Sequence, residues 1–327
     1  MEFTQVSDLD LKISRVTLGT WAIGGWMWGG SNDQKAIDTV ITALDKGVTT
    51  IDTAPVYGFG KSEELVGRAV KEYGHRNDIQ IATKVGLQWN DEGEVTRNST
   101  RDRILKEIDD SLERLQVDYI DIYQIHWPDL NTEFEETAST IIELLEEGKI
   151  RAIGVSNFSP EQMEEFREIA PIHVCQPPYN LFERGIEKDV LPYCNDNNIT
   201  LLTYGALCRG LLSGKMEEQT TFNEGDMRKN ADPKFQGETF KQHLKAVDRL
   251  KTYASESFNK EVLPLAVRWI LDKGVDSAIW GAREPEQVIF EDVFGWKMTD
   301  NQVKEIEKIV ENIVDDPVSP AFMAPPE

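Results

Sequence analysis

Short β-branched apolar runs alternate along the chain with longer stretches in which apolar residues recur at three- and four-residue spacing. The first kind reads as strand and the second as amphipathic helix, because side chains change face every second residue in a strand and every 3.6 residues in a helix. The runs predict eight strands, at 16–18, 49–52, 79–84, 119–124, 152–155, 172–176, 200–204 and 276–280. The helical period predicts helices over 33–46, 62–72, 100–115, 133–147, 159–168 and 186–195, with a longer pair across 239–273. Start and stop signals agree with these bounds: Ser159 precedes Pro160, Ser31 or Asn32 stands ready to cap the helix that begins at Asp33, and Gly47, Gly148 and Gly274 follow last turns.

Strand then helix, repeated eight times, predicts an α/β fold of the closed parallel (β/α)8 TIM barrel type, with residues 1–327 forming a single domain. A doubly wound open sheet is the alternative, but no G-x-G-x-x-G follows the first strand. Two segments break the rhythm. Residues 213–238 are polar and punctuated by Gly and Pro, and a long loop after the seventh strand suits a cofactor lid. The ending DDPVSPAFMAPPE holds too many prolines for a helix, and it either frays or docks Phe322 and Met323 near the site.

Composition narrows the setting. No segment approaches the roughly 20 apolar residues that span a bilayer, and the N-terminal residues lack a signal-peptide pattern, so no membrane association and a cytoplasmic location are expected. Cys175, Cys194 and Cys208 are odd in number and without C-x-x-C spacing, which argues against a disulfide framework and a metal site. A formal charge of -23 opposes binding to nucleic acid and reflects either a Glu-rich surface or adaptation to high salt. A small anionic ligand must then be met by local basic residues.

Catalytic groups in such barrels sit at the C-terminal ends of the strands. Asp52, Lys84, His126, Asn157, Gln176, Tyr204 and Gly281 each end or closely follow an expected strand, so they converge on one mouth, with Tyr57 just beyond the second strand. Singly, each has an ordinary explanation as a cap, a solvated charge or a buried imidazole; together they make a proton-transfer set. A phenol, with a reference pKa of about 10, is a poor acid at neutral pH, and an adjacent ammonium held by a carboxylate is expected to ease its ionisation. Tyr57 is thus expected as general acid, Lys84 as its electrostatic partner, Asp52 as the partner of Lys84, and His126 as the group that orients the substrate oxygen. The same four residues would serve a proton-abstracting isomerase equally well. The stretch GFGKSEE at 58–64 is not a phosphate loop, because Pro55 stands where its leading Gly belongs.

The segments LGTWAIGG (18–25), IDTAPVYGFGKSEELVGRAV (51–70), ATKVG (82–86), LQVDYIDIYQIHWPD (115–129), GKIRAIGVSNF (148–158), CQPPYNLFER (175–184), LTYGALCRGLLSGK (202–215) and WGAREPEQV (280–288) carry a resemblance. Over nearly its whole length the chain resembles the aldo-keto reductase superfamily, and within it the bacterial general stress protein 69-like branch. The resemblance implies a (β/α)8 barrel and NADPH-dependent reduction of aldehydes and some ketones to alcohols, in a stress-response setting. It gives Asp52, Tyr57, Lys84 and His126 the roles just argued. It also places Thr20, Trp21 and Asp52 beside the nicotinamide, Ser156, Asn157 and Gln176 at its carboxamide, and Tyr204 against its ring. Gly205, Ala206, Leu207, Cys208, Arg209 and Gly210, with Leu212, Lys215 and Arg228, would wrap the pyrophosphate. Gly281, Ala282 and Arg283 would meet the adenosine, Arg283 binding its 2′-phosphate through a planar guanidinium and so favouring NADPH over NADH.

Gln287 and Glu291 would face the adenine. Glu291 stands where many relatives have Asn, and Trp280 where many have Pro; Trp280 is expected to pack in the barrel. Aromatic residues Trp21, Trp28, Tyr57, Phe59, Trp89 and Trp127 would surround the mouth and suit an apolar or aromatic aldehyde. A small-molecule carbonyl substrate and a monomer are expected. The second reading is a cofactor-bound regulatory subunit similar to the β-subunits of potassium channels.

Overall fold

The computed structural model describes residues 1–327. Eight parallel strands close into a barrel: β1 (Val16–Gly19), β2 (Thr50–Asp52), β3 (Gln80–Val85), β4 (Ile120–Ile125), β5 (Ile150–Ser156), β6 (Val174–Gln176), β7 (Thr200–Thr203) and β8 (Ser277–Gly281). Each pairs with the next in sequence, and β8 closes on β1 with Trp280 opposite Leu18. All eight expected strands are present. β5 begins two residues earlier than its apolar run suggests, and β6 begins two later, downstream of Pro171, which has no N–H to give a ladder.

Alternation along the strands decides what fills the barrel. Ala82, Ile122, Ala152, Val174, Leu202 and Ile279 point inward and form an apolar layer. Two residues further along, on the same face, come Lys84, Gln124, Gln176 and Tyr204, so the apolar layer gives way to a polar one at the C-terminal mouth. The opposite end is plugged by an N-terminal hairpin, Phe3–Gln5 against Lys12–Ser14, which brings Val6, Leu11 and Ile13 onto the apolar layer. Outward residues such as Ile81, Tyr123, Ile153 and Leu201 join the helices in one large core, each buried aliphatic contributing roughly 1.5–3 kcal/mol.

The helices follow the expected pattern: Asp33–Asp45, Lys61–Tyr73, Arg101–Leu115, Phe134–Glu146, Pro160–Arg167, Gly237–Phe258 and Val262–Asp272. Asn32 is the cap of the first, its side chain accepting from Lys35 N at 3.0 Å, and Ser159 forms a capping box with Gln162. The expected helix at 186–195 is divided into a 3₁₀ turn, Gly185–Lys188, and a helix, Val190–Asp196, because Asp189 leaves helical geometry to cap the second piece. Three features escape the periodicity: the N-terminal hairpin, a second hairpin of Leu87–Trp89 with Val95–Arg97, and a helix at Asp300–Glu311 capped by Thr299. No helix is long and apolar enough to cross a membrane.

The segment after β7 is not without structure. It carries a helical turn at Met227–Asn230 and a 3₁₀ turn at Pro233–Phe235, and it bridges to the loop after β1 through Met227 N to Met27 O (2.9 Å). Residues 320–323 form a 3₁₀ turn, and the segment they begin docks on the mouth rather than fraying.

Candidate active site

The polar layer at the mouth is a connected network. Lys84 is fully buried, and its Nζ donates to Asp52 Oδ1 at 2.7 Å and to the Thr53 carbonyl at 2.9 Å, and stands 3.4 Å from the Tyr57 hydroxyl. The other Asp52 oxygen accepts from Gln176 at 2.7 Å and from Gln124 at 3.4 Å. Both carboxylate oxygens are therefore met, as a buried charge requires. Thr20 fixes the base of the loop by donating its hydroxyl to the Asp52 carbonyl at 2.9 Å. Gln124 was not among the expected site residues, although a polar residue at an inward position of the apolar run IDIYQI is the signal that marks it.

Tyr57 is half-buried in a turn closed by Gly60 N to Pro55 O (2.6 Å). Its ring stacks on Trp21 (centroids 5.9 Å apart, planes at 23°) and meets His126 edge-on at 5.8 Å. Backbone holds it from behind: a Cβ added to Gly24 would lie 2.4 Å from the Tyr57 carbonyl oxygen, which has no flexible end to yield. Gly24→Ala is therefore expected to cost about 1–3 kcal/mol of stability and to lower turnover by moving Tyr57, as read from denaturant midpoints and kcat. Wild-type values for both would show that the close approach is dispensable.

Burial, with the Asp52 charge second, pushes the Tyr57 phenol well above its ordinary value. This reverses the expected direction: with no substrate charge to stabilise, desolvation and the carboxylate set the sign of the shift, and the resting group is a protonated phenol. Burial lowers the Lys84 ammonium, and the Asp52 charge opposes that shift. Burial, with Lys84 second, holds His126 well below its ordinary value, so the ring is neutral. Taken together, the mouth holds a proton on oxygen next to an uncharged imidazole.

Two cavities meet here. One, of about 320 Å³, runs from Thr20, Trp21 and Tyr57 past Tyr204 and the chain at 205–210 to Gly281, Ala282, Arg283 and Gln287. The other, of about 270 Å³, is walled by Trp26, Val56, Leu87, His126, Trp127 and the 322–326 segment, and reaches Ser156, Asn157 and Gln176. Trp21, Tyr57, Tyr204 and Met323 line both. Asn157, in left-handed backbone (φ 63°), donates to the His126 carbonyl and to Ser156 Oγ, both at 3.0 Å, and accepts from the Tyr204 hydroxyl at 2.9 Å.

Other expected residues stand differently. Cys208 and Leu212 are fully buried behind the wall of the larger cavity. Arg209 borders that cavity, but its guanidinium pairs with Glu183 (2.9 Å) and Asp232 (3.1 Å), while Arg228 pairs with Asp226 (2.5 Å). Lys215 and Arg283 line the same cavity and make no ion pair. Glu291 lies outside both cavities and pairs with Lys46 at 2.7 Å. Trp280 is buried, borders the larger cavity, and donates its indole N–H to the Gln287 carbonyl at 3.0 Å. Phe59 and Trp89 pack against each other outside the cavities, their rings tilted at 44° with centroids 5.5 Å apart.

Comparison with known proteins agrees with the barrel and its mouth. Residues 15–311 match the model of the aldo/keto reductase family. The chain is 55% identical over 328 residues to the aldo-keto reductase YhdN of Bacillus subtilis (strain 168), covering 100% of this chain and 98% of that protein. It is 36% identical over 296 residues to the NADH-specific methylglyoxal reductase of Escherichia coli (strain K12), covering 85% and 89%. Among solved structures, the glycerol dehydrogenase AKR11B4 from Gluconobacter oxydans superposes with a TM-score of 0.89 at 52% identity, over 98% and 99% of the two chains. Barrel, mouth and relatives agree that this chain is an oxidoreductase belonging to the aldo/keto reductase family.

Proposed function

We propose that the chain reduces aldehydes, and some ketones, to alcohols with NADPH, using Tyr57 as the proton donor. The observation that carries this reading is the Tyr57 hydroxyl, 3.4 Å from Lys84 Nζ, at the place where an elongated cavity meets an apolar one.

The larger cavity suits a dinucleotide by its donor set. In a chain of net charge -23, it presents Lys215 and Arg283 without carboxylate partners, and the indole N–H groups of Trp21 and Trp28 are buried with nothing to bond. Lys215 would meet the pyrophosphate and Arg283 the 2′-phosphate, with Ser156, Asn157 and Gln176 turned to the carboxamide and Tyr204 to the ring. The name of the Escherichia coli relative makes NADH a live comparison, and Arg283 is the residue on which the preference for NADPH rests. When bound, the nicotinamide supplies the hydride.

The chain's own residues then manage the proton. Neutral His126 donates to the carbonyl oxygen and orients it; Tyr57 Oη delivers its proton to that oxygen as charge develops; and Lys84, held by Asp52, stabilises the phenolate left behind. Apolar walls from Trp26, Val56, Leu87 and Trp127 favour uncharged carbonyls. Our reading extends to a cytoplasmic monomer, and it is supported by three free, buried cysteines and by exposed large apolar residues, Phe3, Phe59, Leu130 and Ile289, that come from four separate segments.

Oxidation of NADPH and of NADH with a panel of aldehydes and ketones tests the reading. Reduction is expected with aldehydes, faster with NADPH. Absence of turnover with any carbonyl would overturn it in favour of a regulatory subunit. The same assay carries a pH expectation. Because His126 is held neutral, kcat/KM should be flat through about pH 6.5, where an ordinary histidine titrates, and should fall only at alkaline pH as the proton on Tyr57 is lost. A limb near 6.5 would show that His126 ionises in the working range.

A further inference from the structure

The segment 320–327 forms part of the wall of the smaller cavity through Phe322, Met323, Pro325 and Pro326, yet little of it is buried. It is held at two points. At its far end Arg97, on the hairpin after β3, gathers three carbonyls: its backbone N–H donates to Pro326 (3.2 Å), its Nε to Pro325 (3.0 Å) and its Nη1 to Pro128 in the loop after β4 (2.8 Å). Arg97 also pairs with the Glu327 carboxylate and lies over the Trp127 ring, 5.5 Å from its centroid.

At its near end the segment rests on a buried ionic cluster. Glu183 and Asp232 face Arg209 and Lys234, with Lys234 Nζ 2.9 Å from Glu183 and 3.2 Å from Asp232. All four are almost wholly buried, two charges of each sign. The Phe322 ring covers both cations, 5.5 Å from the Arg209 guanidinium and 5.0 Å from Lys234 Nζ, and the Met323 sulfur stands 3.4 Å from Arg209 Nη2. Arg209 belongs to the wall of the larger cavity, and its backbone is held left-handed (φ 53°) between Cys208 and Gly210. Met323 borders both cavities. The piece of chain that closes the substrate side therefore rests on the piece that borders the cofactor side.

We infer that residues 320–327 are a hinged wall whose seating is linked to filling of the larger cavity, with Arg97 the positioning residue that sets which carbonyls fit. A segment with few buried contacts opens at low cost, and its population follows the two anchors. A ligand that braces Arg209 and Met323 favours the seated wall, and by reciprocity the seated wall tightens that ligand by the same factor. Lysine replaces Arg97 only in part, because its single ammonium lacks the fork that reaches Pro325 and Pro128 together.

The kinetic arm of the test rests on the reductase reading; the cleavage arm does not. Arg97→Ala is expected to raise KM for a small aldehyde such as propanal about five-fold or more with kcat little changed, the mark of lost ground-state binding. KM for 2-naphthaldehyde should hold or fall, and Arg97→Lys should lie between. Separately, chymotryptic cleavage after Phe322, followed by mass spectrometry, should slow about five-fold or more when wild-type protein is saturated with NADPH, within the usual range of coupling. In Arg97→Ala cleavage should be faster. An unchanged ratio of the two KM values in Arg97→Ala, or cleavage indifferent to NADPH, overturns the inference. If wild-type protein reduces no carbonyl, the reductase reading fails while the cleavage rates still decide the linkage.

Discussion

Tyr57→Phe is expected to yield a folded protein that binds NADPH within about two-fold of wild type and reduces aldehydes on the order of 10³-fold more slowly, within the span attributed to a positioned general acid. The substitution removes one oxygen. The ring keeps its stack on Trp21 and its edge contact with His126, so no cavity opens and the loop has no reason to move. The lost hydrogen bond to Lys84 is long, at 3.4 Å, and Lys84 keeps Asp52 and the Thr53 carbonyl as partners. What disappears is the proton that the developing alkoxide takes, an interaction made only on the way to the transition state. Hence kcat and kcat/KM should fall together. Single-turnover absorbance and a fluorescence titration with NADPH separate the two effects. Retained turnover would move the acid role to another donor, with His126 the next group on the cavity wall.

The barrel was legible because strands buried on both faces read as unbroken β-branched runs, and parallel strands need the helices that the 3.6-residue period marks between them. Strand ends then named Asp52, Lys84 and Gln176 without any contact being known. Three-residue strands, as in both hairpins, are too short to show a period, so the hairpin that carries Arg97 stayed invisible and the hold on the C-terminal segment with it. The resemblance assigns Arg209 to the cofactor's pyrophosphate together with the segment Gly205–Gly210 around it. Only the fold places Glu183 and Asp232 around its guanidinium. Glu291 was assigned in the same way, and only the fold shows it beside Lys46. The ionisation of Tyr57 was misread for a related reason: residue types supply the neighbouring charges, but the sign of the shift here follows burial, which a sequence does not state.

The Lys84–Asp52 pair carries the second large effect, since both side chains are almost wholly buried. Lys84→Met keeps the bulk of the side chain and removes the charge, leaving the Asp52 carboxylate with only the amides of Gln176 and Gln124. Breaking one partner from a buried pair costs about 3–5 kcal/mol, a large part of the 5–15 kcal/mol that holds a typical domain folded. Urea denaturation at pH 7 should show that loss as a lower midpoint. The double variant Asp52→Asn, Lys84→Met should recover much of the stability, since neither charge remains to be compensated. It should not recover turnover, because the phenolate of Tyr57 still has no cation beside it. Recovery of stability without rate assigns Lys84 an electrostatic part in proton transfer beyond its part in the fold. A single variant with the wild-type midpoint would show that water reaches Asp52, and a double variant that regains full rate would remove Lys84 from the proton-transfer set.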